Sequence, residues 1–237
     1  MDNLPRVSIL MPIYNRNIFL PLIILNLNSL LYDKIKLEIC IDDDGTEKLF
    51  KDSSELKKFI DDIYPISVNY KHVTNRRSIG AKRNNLTFKM ASNKLCANMD
   101  SDDIYMPTYL LYGVSELVNQ NKSCVGSNQM LFVYPLLDFK MTGISCESKR
   151  QVHEASLIYY VKHARAMGGF KKSNQGEGSK MVDFNDKNVG LLDIDKCMIC
   201  VCHNDNTIDK KMFEDCQDMK CEITELYKKI LTNIICL

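Results

Sequence analysis

The chain has 237 residues, 45% hydrophobic and 26% charged, with 31 Lys and Arg against 30 Asp and Glu. That length supports one domain whose core needs no staples, and a net charge of +1 excludes general electrostatic binding to nucleic acid. Ten Gly and six Pro are too few for a collagen-like or low-complexity chain.

The first half alternates strand and helix. Residues 6–13 (RVSILMPI) are a short apolar run with β-branched side chains, ended by Tyr14, Asn15, Arg16 and Asn17. A helical stretch follows to residue 31. Residues 36–41 (KLEICI) read as a strand closed by a turn at Asp42, Asp43, Asp44 and Gly45. Residues 53–63 have helical spacing, with Leu56, Phe59, Ile60 and Ile63 on one face. Residues 67–73 alternate like a strand, 79–91 read as helix, and 95–99 (LCANM) as a strand ending in Asp100-Ser101-Asp102-Asp103. This rhythm predicts an α/β fold with a mostly parallel sheet flanked by helices. Ligands of such sheets sit beyond the carboxyl ends of the strands, where the three polar clusters fall.

The second half is less regular. Residues 124–134 read as one or two strands and 153–167 as a helix broken by Gly168-Gly169-Phe170. Residues 173–178 (SNQGEG) are a loop, 179–188 a further candidate helix, and 196–202 a strand ending at His203. Residues 210–235 read as one helix with Phe213, Cys216, Met219, Ile223, Leu226 or Tyr227, Ile230 and Ile234 on a stripe. The simplest division is a body over 1–207 and a C-terminal helix within 208–237 that packs on the body or pairs with a second copy as a homodimer. The most apolar stretch, 18–32, is interrupted by Pro21, Asn26 and Asn28 and falls short of the roughly 20 residues a transmembrane helix needs.

The chain opens Met1-Asp2-Asn3 without a basic leader region, and it has ten cysteines. Reduced thiols in a cytoplasmic setting are expected. Cys197 and Cys200 with Cys216 and Cys221 loosely match a zinc-ribbon spacing. A strand would point the first two to opposite faces, and five residues along a helix diverge. Small buried hydrophobes are the default reading.

The stretch Asp100-Ser101-Asp102-Asp103 carries the most chemistry. Three carboxylates within four residues repel one another and are tolerated at a strand end when a cation neutralises them. Hard oxygen donors favour Mg²⁺, Mn²⁺ or Ca²⁺. The bland alternative is a solvated acidic turn. His203, just after a predicted strand, becomes a candidate ligand, and a mixed carboxylate and imidazole set suits Mn²⁺ at least as well as Mg²⁺.

At these residues the chain resembles the family-2 glycosyltransferases, enzymes of the GT-A fold. Their opening strand, of the form VSIIIPTYN, is matched by Val7-Ser8-Ile9-Leu10-Met11-Pro12-Ile13-Tyr14-Asn15 and followed by Arg16. Their DDGS is matched by Asp43-Asp44-Gly45-Thr46, and their G-x-x-x-A-R-N-like helix start by Ile79-Gly80-Ala81-Lys82-Arg83-Asn84. The DxD signature is similar to Asp100-Ser101-Asp102, GGF to Gly168-Gly169-Phe170, and H-x-x-N-x-S to His203-Asn204-Asp205-Asn206-Thr207. Each element is weak singly; six in order over about residues 6–207 are specific. The Asn-, Lys- and Ile-rich composition is also similar to short transferases of large DNA viruses.

The resemblance implies a metal-dependent, inverting hexosyl- or N-acetylhexosaminyltransferase. It would move a sugar from a nucleotide-sugar, a UDP-sugar by family precedent, to a hydroxyl of a glycan or protein acceptor, with no nucleic acid involved. Asp102 matches the principal carboxylate for Mn²⁺ or Mg²⁺, Asp100 is the other half of DxD beside Ser101, and His203 completes the metal ligands or touches the phosphate. Asp43 matches the carboxylate that accepts from the uracil N–H. Tyr14 and Asn15 lie in the base-facing segment, Arg16 reaches a phosphate, and Arg76, Arg77 and Arg83 offer further contacts; a solvated basic face is the alternative for the run Arg76-Arg77 with Lys82-Arg83.

Inversion needs one general base, which relatives carry in an E-D-like pair after GGF. Glu177 is the candidate here. Gly178 replaces the usual Asp, and Asp183 is the alternative base. His153, Glu154, Tyr159, Tyr160, His163 and Arg165 line an acceptor site or form a surface helix. A non-catalytic nucleotide- or sugar-binding protein on the same fold is the rival reading.

Overall fold

The computed structural model describes residues 4–147, 151–182, 188–219 and 221–235. In its first half the strands are β1 (Val7–Ile13), β2 (Leu37–Asp43), β3 (Ser67–His72) and β4 (Leu95–Asn98), connected through α1 (Leu20–Ser29), α2 (Ser53–Asp62) and α3 (Ile79–Asn85). Beyond β4 come β5 (Ile104–Tyr105), α4 (Tyr109–Asn119), β6 (Cys124–Gly126), β7 (Gln129–Tyr134), β8 (Lys140–Ser145) and β9 (Ile158–Tyr160). The chain continues through α5 (Val161–Ala166), α6 (Ser179–Val182), β10 (Val189–Leu191), β11 (Met198–Val201), β12 (Gln217–Asp218) and α7 (Glu225–Ile235).

One sheet runs β10-β6-β9-β4-β1-β2-β3 and a second β12-β8-β7-β11-β5. In the first, β4, β1, β2 and β3 are parallel, and only β9 runs against its neighbours. The fold is therefore the mixed, mostly parallel α/β architecture the sequence predicts. Period-2 alternation explains the two cores. Val7, Ile9, Met11 and Ile13 of β1 enter the larger core with α1, whereas Leu10 faces the opposite side with Cys40, Cys96 and Cys124. Those cysteines pack as small hydrophobes, and the nine described cysteines are free thiols.

Three predicted elements differ. The 153–167 helix is instead a short turn, strand β9 and α5. Ile158, Tyr159 and Tyr160 are β-branched and aromatic, and inserting them between β4 and β6 buries Tyr159 completely; that burial outweighs helical spacing. The 210–235 helix survives only as α7. The upstream residues are used on the second sheet instead: Phe213 stacks on Phe132 at 4.6 Å, and the short strand β12 pairs antiparallel with β8. Finally, β2 runs on to Asp43, because Asp42 and Asp43 are fully buried and paired rather than turning into solvent.

The α7 helix packs on α1, where the Tyr227 hydroxyl meets Asn26 Oδ1 at 3.1 Å and Leu231 is buried. Ile60, assigned to the inner face of α2, is exposed. Among the described residues no helix is long and apolar enough to cross a membrane.

Candidate functional site

A cleft opens beyond the carboxyl ends of β1, β2 and β4. One half is lined by Tyr14, Arg16, Arg76, Arg77, Lys82 and Ser101. The other is lined by Arg83, Asp103, Glu154, Glu177 and Lys210. Ile79, Asp100, Asp102, Asn174 and Thr207 belong to both, so the halves meet at the two aspartates. A cationic wall thus faces a carboxylate-rich one across Asp100 and Asp102.

The aspartates ending β2 brace the basic wall. Asp42 accepts from Arg77 Nη2 at 2.5 Å and Asn85 Nδ2 at 2.9 Å. Asp44 accepts from Lys82 Nζ and from the Arg77 backbone N–H, both at 2.6 Å, and Lys82 also donates to the Ile13 carbonyl at 2.7 Å. Burial lowers the Lys82 pKa, with Asp44 opposing it. The structure does not bring Asp43 to the cleft. Its oxygens accept from the Gly45 and Leu49 N–H groups and the Tyr70 hydroxyl, at 2.8–2.9 Å. Asn15, at φ 51°, bonds Thr46 and the Glu47 N–H and ties the two loops together. Tyr14 does face the cleft, with the Arg76 guanidinium 4.0 Å over its ring.

Asp102 sits at the junction. Its Oδ2 accepts from Arg16 Nε at 3.0 Å and meets His203 Nε2 at 3.2 Å. Burial disfavours its charge, but the His203 bond and Arg16 outweigh that and hold its pKa down at about 2. His203 Nδ1 accepts the Asp205 N–H at 3.2 Å, which leaves Nε2 as the donor to Asp102. Arg16 is further fixed by the Asp205 carbonyl at 2.6 Å. Neighbouring Asp103 reaches across to the Val201 N–H at 3.0 Å, locking the segment against β11. Burial, then the charges of Asp102 and Asp100, push its pKa well up.

Arg83 lies beneath the acidic wall rather than beside the basic one. It is 2% exposed and donates to Glu177 Oε1 at 3.0 Å and to Asp100 Oδ1 at 2.9 Å. Its Nη1 has no partner among the described residues. Burial opposes its charge, yet Asp100 and Glu177 raise its pKa overall. Asp100 is shifted up, chiefly by burial.

Glu177 arrives on a loop clipped to the start of α3. The Gly80 N–H donates to Ser173 O at 3.0 Å and the Ile79 N–H to Asn174 Oδ1 at 2.9 Å. A Cβ at Gly80 would fall 1.7 Å from the Lys171 carbonyl oxygen, so only glycine allows this approach. The GGF turn has φ +75° and +72° at its glycines, and Asn84 holds Phe170 through its N–H and carbonyl, each at 2.8 Å.

Asp183 lies outside the described residues. Tyr159 and His163 are buried in the second core rather than lining an acceptor site. Sequence reasoning assigned no role to Asn174 and Lys210, which the chain reversals after GGF and after β11 bring to the cleft, while Lys82 and Thr207 line it from within motifs already noted.

The donor set suits a divalent cation in one respect. Among the described residues no three His, Cys, Asp or Glu side chains converge as a cage. An ion shared with a diphosphate, however, asks for only one or two protein carboxylates. Asp100 and Asp102 each commit one named oxygen to Arg83, or to Arg16 and His203, and the other oxygen of each is the hard donor such an ion requires.

A family model described as Glycosyl transferase family 2 matches residues 8–175. No curated protein sequence matches the chain. Among solved structures, S. aureus TarS 1–349 is similar at 13% identity and a TM-score of 0.63, over 83% of this chain and 60% of that one. The mannosyltransferase PcManGT from Pyrobaculum calidifontis, in complex with GDP-Man and Mn²⁺, is similar at 16% identity and a TM-score of 0.65, over 88% and 59%. TarS 1–349 in complex with UDP-GlcNAc gives 13% identity and a TM-score of 0.65, over 97% and 71%. The chain thus spans about 60% of the length of the first two, and at these identities the likeness is one of fold.

Proposed function

The chain belongs to glycosyl transferase family 2, and from that membership we propose that it moves a sugar from a nucleotide-sugar to a hydroxyl of a glycan or protein acceptor. The observation that carries this is the junction of the basic and acidic walls at Asp100 and Asp102. A diphosphate seeks the first wall, and an acceptor hydroxyl that must lose its proton seeks the second.

The donor is proposed to lie along the basic wall. Tyr14 under Arg76 offers a flat face for the base, and with Asp43 holding its own loop, base contacts fall to this stack. Arg16 and His203 aim N–H groups at the junction, where they can serve the leaving phosphate. Lys82 and Arg77, pinned by Asp44 and Asp42, keep the wall rigid and positive. Asp102 and Asp100 would hold Mn²⁺ or Mg²⁺, which supplies Lewis-acid neutralisation of the diphosphate when bound. A UDP-sugar is favoured, a hexose or N-acetylhexosamine, with inversion at the anomeric carbon.

Residues 1–207 are read as the transferase domain, with α7 docked on it or shared with a second copy. A reducing cytoplasm and a viral source are proposed on composition alone.

Calorimetric titration with UDP, GDP, CDP and TDP, with Mn²⁺ present or chelated, tests this. Metal-dependent binding of one nucleotide is expected, and Asp102→Ala should abolish the metal dependence. No binding by the folded chain would overturn the reading. Gly178, which lacks the side chain expected beside Glu177, favours the rival non-catalytic reading; donor turnover by the wild-type chain separates the two.

A further inference from the structure

We propose that Glu154, not Glu177, is the general base that takes the proton of the acceptor hydroxyl; the proposal rests on the transferase reading above. Five carboxylates line the acidic half of the cleft: Asp100, Asp102, Asp103, Glu154 and Glu177. Four are committed. Arg83 holds Asp100 and Glu177, Arg16 and His203 hold Asp102, and the Val201 N–H holds Asp103. Glu154 has no cation within ion-pair distance among the described residues. Its carboxylate is met by backbone N–H groups, its own and that of Gly178, the latter at a long 3.3 Å from Oε1.

The two glutamates are therefore chemically unlike. Glu177 Oε1 is held by a guanidinium that is 2% exposed, which makes Glu177 a positioning residue for Arg83. Glu154 has no such bond to lose. Burial, and then the charge of Glu177, raise its pKa, the direction that favours a base working near neutrality.

Geometry supports the exchange of roles. A Cβ at Gly178 would lie 2.3 Å from Glu154 Cγ and 3.3 Å from its Oε1. The Glu154 side chain thus fills the volume that any side chain at 178 would need. It is also firmly placed: Asn98 Nδ2 donates to the Glu154 carbonyl at 2.7 Å. Asn98 ends the strand that delivers Asp100, so the proposed base and the metal-side carboxylates share one rigid support. In the step, the acceptor oxygen bonds to the anomeric carbon. The bond from that carbon to the phosphate oxygen breaks, its electron pair leaves with the nucleoside diphosphate, and the hydroxyl proton passes to the Glu154 carboxylate.

The test compares wild type, Glu154→Gln, Glu177→Gln and the double variant Glu154→Ala/Gly178→Asp. Donor binding is read by calorimetry with UDP-GlcNAc, UDP-glucose and GDP-mannose. Turnover is read as released nucleoside diphosphate with an oligosaccharide acceptor panel. Glu154→Gln is expected to bind donor within about twofold of wild type and lose about 100-fold or more in turnover, the usual scale for general-base removal. Glu177→Gln should lose less. Moving the carboxylate to 178 should restore turnover well above that of Glu154→Gln. Turnover by donor-bound Glu154→Gln within about fivefold of wild type overturns the assignment. If Glu154→Gln fails to fold, the double variant decides: folded, donor-bound and inactive, it overturns the assignment; active, it supports it. A wild-type chain that binds no nucleotide defeats the transferase reading instead.

Discussion

The buried guanidinium of Arg83 offers the sharpest test of how the cleft is held together. Replacing it with Met keeps most of the side-chain volume and removes the charge. Two charge-assisted bonds go with it, to Glu177 at 3.0 Å and Asp100 at 2.9 Å. Breaking a buried pair from one side costs about 3–5 kcal/mol, because the abandoned charges stay buried. Asp100 can escape part of that cost by taking up a proton. Without Arg83 the folded-state pKa of Asp100, already raised by burial, rises further. A carboxyl whose folded pKa exceeds its unfolded value destabilises the fold at high pH, and the penalty fades as pH falls through the folded pKa. Arg83→Met should therefore lose about 3–5 kcal/mol at pH 8 and recover part of it, relative to wild type, by pH 5. Urea unfolding at both pH values measures this. A loss below about 1 kcal/mol, or one independent of pH, would refute the claim that Arg83 is the counter-charge of the acidic wall.

Two further outcomes follow from the same geometry. Asp102 is held at about 2 against about 3.9 unfolded, a depressed pKa whose stabilisation is complete above about pH 4 and lost as pH falls toward 2. It contributes on the order of 2 kcal/mol, so Asp102→Asn should flatten the wild-type loss of stability between pH 4 and 2. Gly80→Ala places a methyl 1.7 Å from the Lys171 carbonyl oxygen and must push away the loop carrying Glu177. Overpacking costs about 1–3 kcal/mol, partly offset by about 1 kcal/mol of helix propensity. Faster proteolysis within 171–178 is the expected signature, and unchanged cleavage would show that the clip is dispensable.

The parallel half of the fold was legible because each strand and helix there carries its own local signal. Apolar β-branched runs end in polar clusters, so β1, β2 and β4 and the cleft edge they share could be read in order. The carboxylates of the DxD stretch were legible as a group for the same reason. The misses share a physical cause. Residues 153–167 have helical spacing, but Ile158–Tyr160 gain more from burial between β4 and β6, a gain set by residues far away in sequence. Asp43 looked like a ligand carboxylate because sequence shows only that it ends a strand; which hydrogens satisfy it depends on Leu49 and Tyr70.

Gly178 shows the limit most clearly. Read along the chain it is a departure from the pattern, an absent carboxylate that argues against catalysis. In three dimensions the space is filled, because the short turn before β9, inside the segment whose spacing reads as helix, places Glu154 there, 24 positions away. A linear motif records which residue stands at a position, whereas catalysis requires only that a carboxylate occupy a place. The apparent defect at 178 and the position of Glu154 are therefore one event in the fold, and swapping the carboxylate between 154 and 178 tests it.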